Sequence, residues 1–340
     1  MPPYRQRRLF WHVCIDRQTD TEPTYRLSTD TCHQPQKRPI DALFCTIVGL
    51  IGYSWRYAFW DIAMTEHRFG GLWTQLKLDI LRDYLGFYTQ ALKHQRFDLI
   101  YIDSFAGSGR CSIKISGGRR EIDGSAKIAL DTTPPFDSFC FIERKPSHVA
   151  DLEILCTTHP NGDRAVIAAG GAREHLTALL HSRDWNRTRG VLFLDPYGLQ
   201  CDWETVLEIA KTRALDLFFL VSISGLYRQA ANDMANVDSH KAAALDRFLG
   251  TTEWRRALYS APQDDLFGND PRMVRQINAN GLLNYVRELM LPHFGYVAEP
   301  KLLNHKGAPL YGLIFAVANK KPAAIALAKR VARDILSKVR

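Results

Sequence analysis

The sequence predicts an α/β fold, a mostly parallel sheet with helices on both faces. Two observations carry that reading. Short, continuous apolar runs alternate with segments of helical period between residues 98 and 222, the pattern of strands buried on both faces and joined by crossover helices. Three of those runs end on a carboxylate, at Asp103, Glu143 and Asp195. In an open parallel sheet, ligands bind beyond the carboxyl ends of the strands.

The elements follow in chain order. From Thr74, apolar Leu78, Leu81, Leu85, Tyr88 and Leu92 recur at spacings of three and four, which makes one apolar helix face. Lys77, Asp79, Arg82, Asp83 and Lys93 fall mostly elsewhere. Asp98 to Asp103 reads as the first strand. Ser138 to Glu143 reads as the second, with a helix to about Thr157. Arg164 to Ala168 is a short third strand, followed by a helix from about Ala172 to His181. Gly190 to Asp195 is the fourth, with a helix from Trp203 to Thr212, and Leu215 to Ser222 is the fifth. Residues 225 to 292 read as an all-helical insertion, broken at Gly250, Pro262, Gly268 and Pro271. Pro309 to Asn319 is a late strand, Tyr296 to Pro300 a further one, and Lys321 to Val339 a basic terminal helix.

Residues 1 to 63 differ from the rest. They carry Pro2, Pro3, Pro23, Pro35 and Pro39 and no sustained period, so an irregular extension is expected there and the α/β domain over 64 to 340. Ala42 to Trp60 is largely apolar but holds Arg56, Gly49 and Gly52. A spanning helix needs about 20 apolar residues, so no membrane span is expected. The 340 residues carry 44 Lys and Arg against 36 Asp and Glu, a net of +8. That excess permits a nucleic-acid partner without requiring one. Seven cysteines form no Cys-x-x-Cys pair, which argues against a disulfide framework or zinc knuckle and for a reducing, cytoplasmic setting.

The carboxylates then gain context. The first strand runs into Asp103-Ser104-Phe105-Ala106-Gly107-Ser108-Gly109, where glycines allow close backbone approach to a ligand. The string resembles the S-adenosylmethionine (SAM) motif of DNA and RNA methyltransferases. It has no Gly-Lys-Ser/Thr and no third glycine, so it is neither a phosphate loop nor a dinucleotide fingerprint. Glu143 suits bidentate acceptance of two vicinal ribose hydroxyls. Leu194-Asp195-Pro196-Tyr197-Gly198 is similar to the turns with which amine methyltransferases hold their target: the carboxylate accepts an amine N–H and the ring stacks on the base. It departs from them with Tyr197 where a second Pro is usual and Gly198 as the fourth residue, and Asp-Pro-aromatic-Gly is similar to the turn in tRNA guanosine-N2 methyltransferases. Strand ends and Pro turns are also commonplace without chemistry. Three acidic ends together, one beside a glycine turn, point to a site.

Trp73-Thr74 with Lys77-Leu78, the Ile102 to Gly109 string, Asp123-Gly124-Ser125, Phe141-Ile142-Glu143, Phe193 to Gly198 and Leu215-Asp216-Leu217 occur in the order seen in the three-Cys-motif partner protein family, which the chain resembles over roughly residues 68 to 320. The resemblance implies a Rossmann-like SAM-methyltransferase fold and a three-Cys-motif protein as possible partner. One departure stands out. Ala168-Ala169-Gly170-Gly171-Ala172-Arg173 has no acid before Glu174, where such enzymes meet the adenine amine.

The expectation is therefore SAM-dependent methylation of a nitrogen, on a nucleobase or another amine, with nucleic acid or a nucleoside as substrate. Asp195, Pro196 and Tyr197 are the candidate catalytic residues. Asp103, Phe105, Gly107, Gly109 and Glu143 are the candidate SAM-binding ones, and no metal-ligand spacing is present. The alternative is a non-catalytic Rossmann-like partner of a three-Cys-motif protein. Trp203 and Arg228 are weaker candidates, a flat-substrate neighbour and an anion contact, each with packing or an exposed helix position as the simpler account. A nuclease built on the three carboxylates leaves the glycine loop without a purpose.

Overall fold

The structure is a computed structural model and describes residues 72–115, 118–261, 272–305 and 307–336. The irregular extension expected over residues 1 to 63, and the Ala42 to Trp60 segment, lie outside the described residues. No described helix is long and apolar enough to cross a membrane.

The central sheet contains β1 (Asp98–Asp103), β4 (Ser138–Glu143), β5 (Ala165–Ala169), β6 (Thr188–Leu194) and β7 (Leu215–Ser222). These five pair in parallel in the order β5-β4-β1-β6-β7. Strand β12 (Ala308–Val317) adds to β7 antiparallel, and β10 (Tyr296–Val297) and β11 (Lys301–His305) pair antiparallel with β12. The chain winds outward from β1 through β4 to β5, then returns to build β6 and β7 on the other side. The winding direction reverses beside β1, which is the usual ligand position in such sheets.

Helices cover both faces. One face carries α1 (Leu72–Leu92), α2 (Ser125–Leu130), α3 (Pro146–Thr158) and α10 (Pro322–Leu336). The other carries α4 (Ala172–Ser182), α5 (Trp203–Lys211), α6 (Ile223–Gln229), α7 (Ser239–Leu249), α8 (Trp254–Leu258) and α9 (Ala279–Met290). Of the stripe expected on α1, Leu78, Leu81, Leu85 and Tyr88 are at most 6% exposed and Leu92 is half-buried, while Tyr84, not in that stripe, is buried as well. Each side chain of that size contributes about 1.5–3 kcal/mol by leaving water, so this helix is held by its packing.

The sequence reading departs from the structure in three places. Residues 110 to 123 form a hairpin, β2 (Arg110–Ile115) with β3 (Gly118–Asp123), where no strands were expected. The cue was Cys111, Ile113 and Ile115 in alternation before Gly117-Gly118, a hairpin signal weakened by the charged second strand. The insertion is not all-helical: β8 (Tyr259–Ser260) and β9 (Val274–Arg275) form a short antiparallel ladder within it. Strand β11 was also missed. It lies on the sheet edge, with Leu303 in one core and Leu302 half-buried against the other, too short an apolar pattern to read from sequence.

Candidate functional site

Strand register brings the three acidic ends together. Asp103 sits opposite Phe141 of β4 on one side and Phe193 of β6 on the other. Glu143 and Asp195 each lie two residues beyond those partners, so the carboxylates flank the end of the central strand. Among the described residues no group of three or more His, Cys, Asp or Glu is placed to hold a metal ion.

Asp103 is fully buried. Its carboxylate accepts from Tyr101 OH (3.2 Å) and the Phe105 N–H (3.4 Å), and from the Ser125 hydroxyl at the start of α2. Burial pushes its pKa up to about 7, partly opposed by the Ser125, Phe105 and Tyr101 hydrogen bonds. Through the Phe105 N–H it is tied to the turn that follows it. Gly107 and Gly109 take positive φ values of 64° and 74°, conformations that other residues reach only with strain. At Gly109 a Cβ would also come within 2.5 Å of Leu155, whereas at Gly107 the space is open. Phe105 lies half-buried in the same loop. Gly124 closes the base of the hairpin: its N–H bonds Gly109 O at 2.9 Å, and a Cβ there would meet Gly109 backbone at 2.7 Å.

Glu143 is 8% exposed. Its Oε2 accepts from the Gly107 N–H (2.9 Å) and its Oε1 from the Lys145 N–H (2.7 Å). Each carboxylate oxygen can accept more than one bond, so both keep capacity toward a diol. Beyond β5, Glu174 folds back so that its Oε2 lies 2.1 Å from where a Cβ on Gly171 would sit.

Asp195 stands just past β6. Its Oδ2 is ion-paired with the Lys77 ammonium from α1. The side chains are 22% and 9% exposed respectively, so the pair sits at the base of a partly open edge. Burial works to lower the Lys77 pKa, but the Asp195 charge and hydrogen bond outweigh it and hold the ammonium above its ordinary value. The Lys77 Nζ lies 5.0 Å from the Trp73 ring centre and 6.0 Å from that of Phe193, and Trp73 stacks on Tyr311 at 4.9 Å. Tyr311 reaches this edge because β12 runs antiparallel to β7, opposite Ser222. Pro196 is buried, and Tyr197 is 66% exposed with its ring edge-on to Phe105 at 6.4 Å. Gly198 has φ 61°, which turns the chain toward α6, where Arg228 is exposed.

Lys77, Trp73 and Tyr311 were not read as site residues from the sequence. Lys77 had a cue: with Leu81, Tyr84 and Tyr88 it follows the four-three-four spacing of the buried stripe, an unusual place for a lysine. Cys111 also lies near Lys77 and Asp195, but burial pushes its thiol up despite the lysine, leaving a poor nucleophile at neutral pH. Trp203 is a packing residue: it is 8% exposed and fills the space beside Gly250, where a Cβ would meet its ring at 2.0 Å. A separate open cleft lined by Arg110, Glu121, Asp123, Lys127, Leu155, Thr158 and His159 holds none of the three strand-end carboxylates.

No family model matches the chain, and no curated protein matches it. Solved structures match it at low identity and low TM-score. A Legionella pneumophila str. Philadelphia 1 protein of the family model DUF519 is 11% identical, with 79% of this chain and 93% of that chain covered and a TM-score of 0.46. The putative methyltransferase yhhF of Escherichia coli is 12% identical over 70% and 86%, at 0.32. The glycopeptide N-methyltransferase MtfA, solved with S-adenosyl-L-methionine, is 14% identical over 68% and 86%, at 0.31. The mostly parallel α/β fold is read from the chain's own strand order and pairing.

Proposed function

We propose that the chain binds SAM at the carboxyl edge beside β1 and β4 and methylates a nitrogen, with a nucleobase amine as the leading acceptor. One observation carries the reading. A positive-φ glycine turn with open space at Gly107, a strand-end carboxylate bonded to that turn, and the Asp195 carboxylate paired with Lys77 lie side by side at the place where the sheet reverses its winding. Gly107 leaves room for a ligand against the backbone, and Glu143 keeps acceptor capacity for ribose hydroxyls, so the residues fit the cofactor. Phe105, Gly107, Gly109 and Glu143 hold it, and Asp103 braces the turn from inside. SAM supplies an electrophilic methyl group; the protein's part is positioning and desolvation.

Asp195 holds the acceptor amine through its free oxygen, Pro196 fixes the turn, and the exposed Tyr197 ring offers a face to a flat base. The modest net charge of +8 suits a nucleic-acid or nucleoside substrate. Titration calorimetry with SAM tests this directly. Saturable binding is expected, with loss of about 1.5–3 kcal/mol for each hydrogen bond removed in Glu143→Ala. Absence of binding at millimolar SAM refutes it. A second reading is favoured by the missing acid between β5 and Glu174: a non-catalytic Rossmann-like partner of a three-Cys-motif protein. Co-purification of the two proteins without SAM binding would establish that instead.

A further inference from the structure

The Lys77–Asp195 pair leaves two complementary groups unused. A lysine ammonium has three N–H donors. Among the described residues Lys77 gives one of them, to Asp195 Oδ2. Asp195 Oδ1 has no hydrogen-bond partner among the described residues. Next to the pair stand Trp73, Tyr311 and Phe193, and Phe105 with Tyr197 borders the same turn. The edge therefore offers a free acceptor beside a free, positively charged donor, flanked by aromatic rings.

Two classes of amine meet this arrangement differently. An aliphatic amine is an ammonium at neutral pH. It would bring a second positive charge beside Lys77 and has no acceptor for it. A nucleobase amine is neutral and flat, and in adenine and cytosine a ring nitrogen with a lone pair adjoins the amino group. The amine N–H meets Asp195 Oδ1 while the ring nitrogen accepts from Lys77. A site built from both a donor and an acceptor rejects a molecule lacking either, because a buried polar group is then left unpaired.

Resting on the methyltransferase reading, we propose that Lys77 determines specificity: with Asp195 it reads the amine-plus-ring-nitrogen edge of adenine or cytosine and excludes aliphatic amines. Its contribution is selection of the acceptor, and SAM is held elsewhere, by Glu143 and the glycine turn.

The test uses deaza bases, in which the ring nitrogen becomes a C–H and the amine is kept. Transfer of labelled methyl from SAM is measured on single-stranded oligonucleotides carrying adenine or cytosine, on the matching 1-deaza-adenine, 7-deaza-adenine and 3-deaza-cytosine oligonucleotides, and on putrescine. The proteins are the full chain, Lys77→Met and Lys77→Arg, each checked for SAM affinity and melting. With the wild type, one deaza substitution should lower kcat/KM by about tenfold or more, the scale of a charge-assisted hydrogen bond, and putrescine should not react. In Lys77→Met that deaza penalty should fall to less than about twofold, as expected when the partner of the removed atom is already gone. Lys77→Arg should retain part of it. A lysine that only stabilised the fold would lower all substrates alike. Equal rates on all deaza oligonucleotides with the wild type, an undiminished penalty in Lys77→Met, or preferred reaction with putrescine overturns the proposal while leaving methyl transfer standing. The wild-type comparison decides even where Lys77→Met does not fold. SAM binding without transfer to any oligonucleotide also overturns it, and absence of SAM binding overturns the function on which it rests.

Discussion

Helix α1 meets the sheet through two aspartates, and the two contacts differ in kind. At the carboxyl edge, Lys77 pairs with Asp195. Two turns further along, Tyr84 OH donates to Asp216 Oδ2 at 2.6 Å, near the start of β7. Tyr84 sits inside aromatic packing, with Phe218 at 4.9 Å and Phe315 at 5.0 Å. Burial pushes the Asp216 carboxyl up to about 7, against the pull of the Tyr84 hydrogen bond and the Arg189 charge. The Tyr84 phenol rises well above its usual value, through burial first and Asp216 second. A neutral donor and a carboxyl near neutrality make a polar plug in a core. At the other end a full positive charge holds Asp195 at a partly open edge, with one oxygen free. The same residue type serves packing in one place and, in the proposed function, a ligand in the other, and the partner makes the difference.

Substitutions at the two ends should separate along that line. The largest effect is expected from Tyr84→Phe. It leaves the Asp216 carboxyl without its donor and should cost about 1–3 kcal/mol of stability, read by urea unfolding, with SAM affinity unchanged. A loss of SAM affinity instead would mean that the two ends of α1 are not independent.

Asp195→Ala should show the opposite signature. Turnover on an accepted substrate should fall by about tenfold or more, roughly 1.4 kcal/mol in the barrier, while calorimetry finds SAM affinity nearly intact. Equal losses of both would place Asp195 in the cofactor site and dissolve the contrast.

A third effect concerns pH. A folded Asp216 near 7 and an unfolded aspartate near 3.9 mean that the native state holds the extra proton between those values. Its contribution to stability is complete below about pH 4, declines as pH rises, and is gone above about 7. Asp103, also raised to about 7, adds to the same fall. Melting temperatures at pH 5 and pH 8 should therefore differ less in Asp216→Asn than in the wild type. An unchanged difference would show that Asp216 titrates normally and is not the plug described.

Much of the frame was legible before folding. Strands β1, β4 and β7 begin and end where their apolar runs do, because a strand buried on both faces leaves an unbroken hydrophobic run. The glycine turn after β1 was legible because its positive-φ positions are held by glycine. The hairpin at 110 to 123 was harder to read, since β3 is almost wholly exposed and carries charges in place of alternation. The acidic strand ends could be named individually, but not their neighbours.

The sequence by itself determined where the chain extends, coils and turns, since those choices rest on residues within a few positions of each other. It also placed an acid at each of three strand ends. Only the tertiary structure decided what faces those acids. Lys77 meets Asp195 across 118 positions of chain, because α1 crosses the sheet and delivers its first turns to the carboxyl edge. Tyr311 stacks on Trp73 there because the last long strand enters antiparallel beside β7. Local pattern cannot encode such meetings; strand order and helix packing produce them, and they set a donor, an acceptor and aromatic rings around the acidic strand ends of the candidate site.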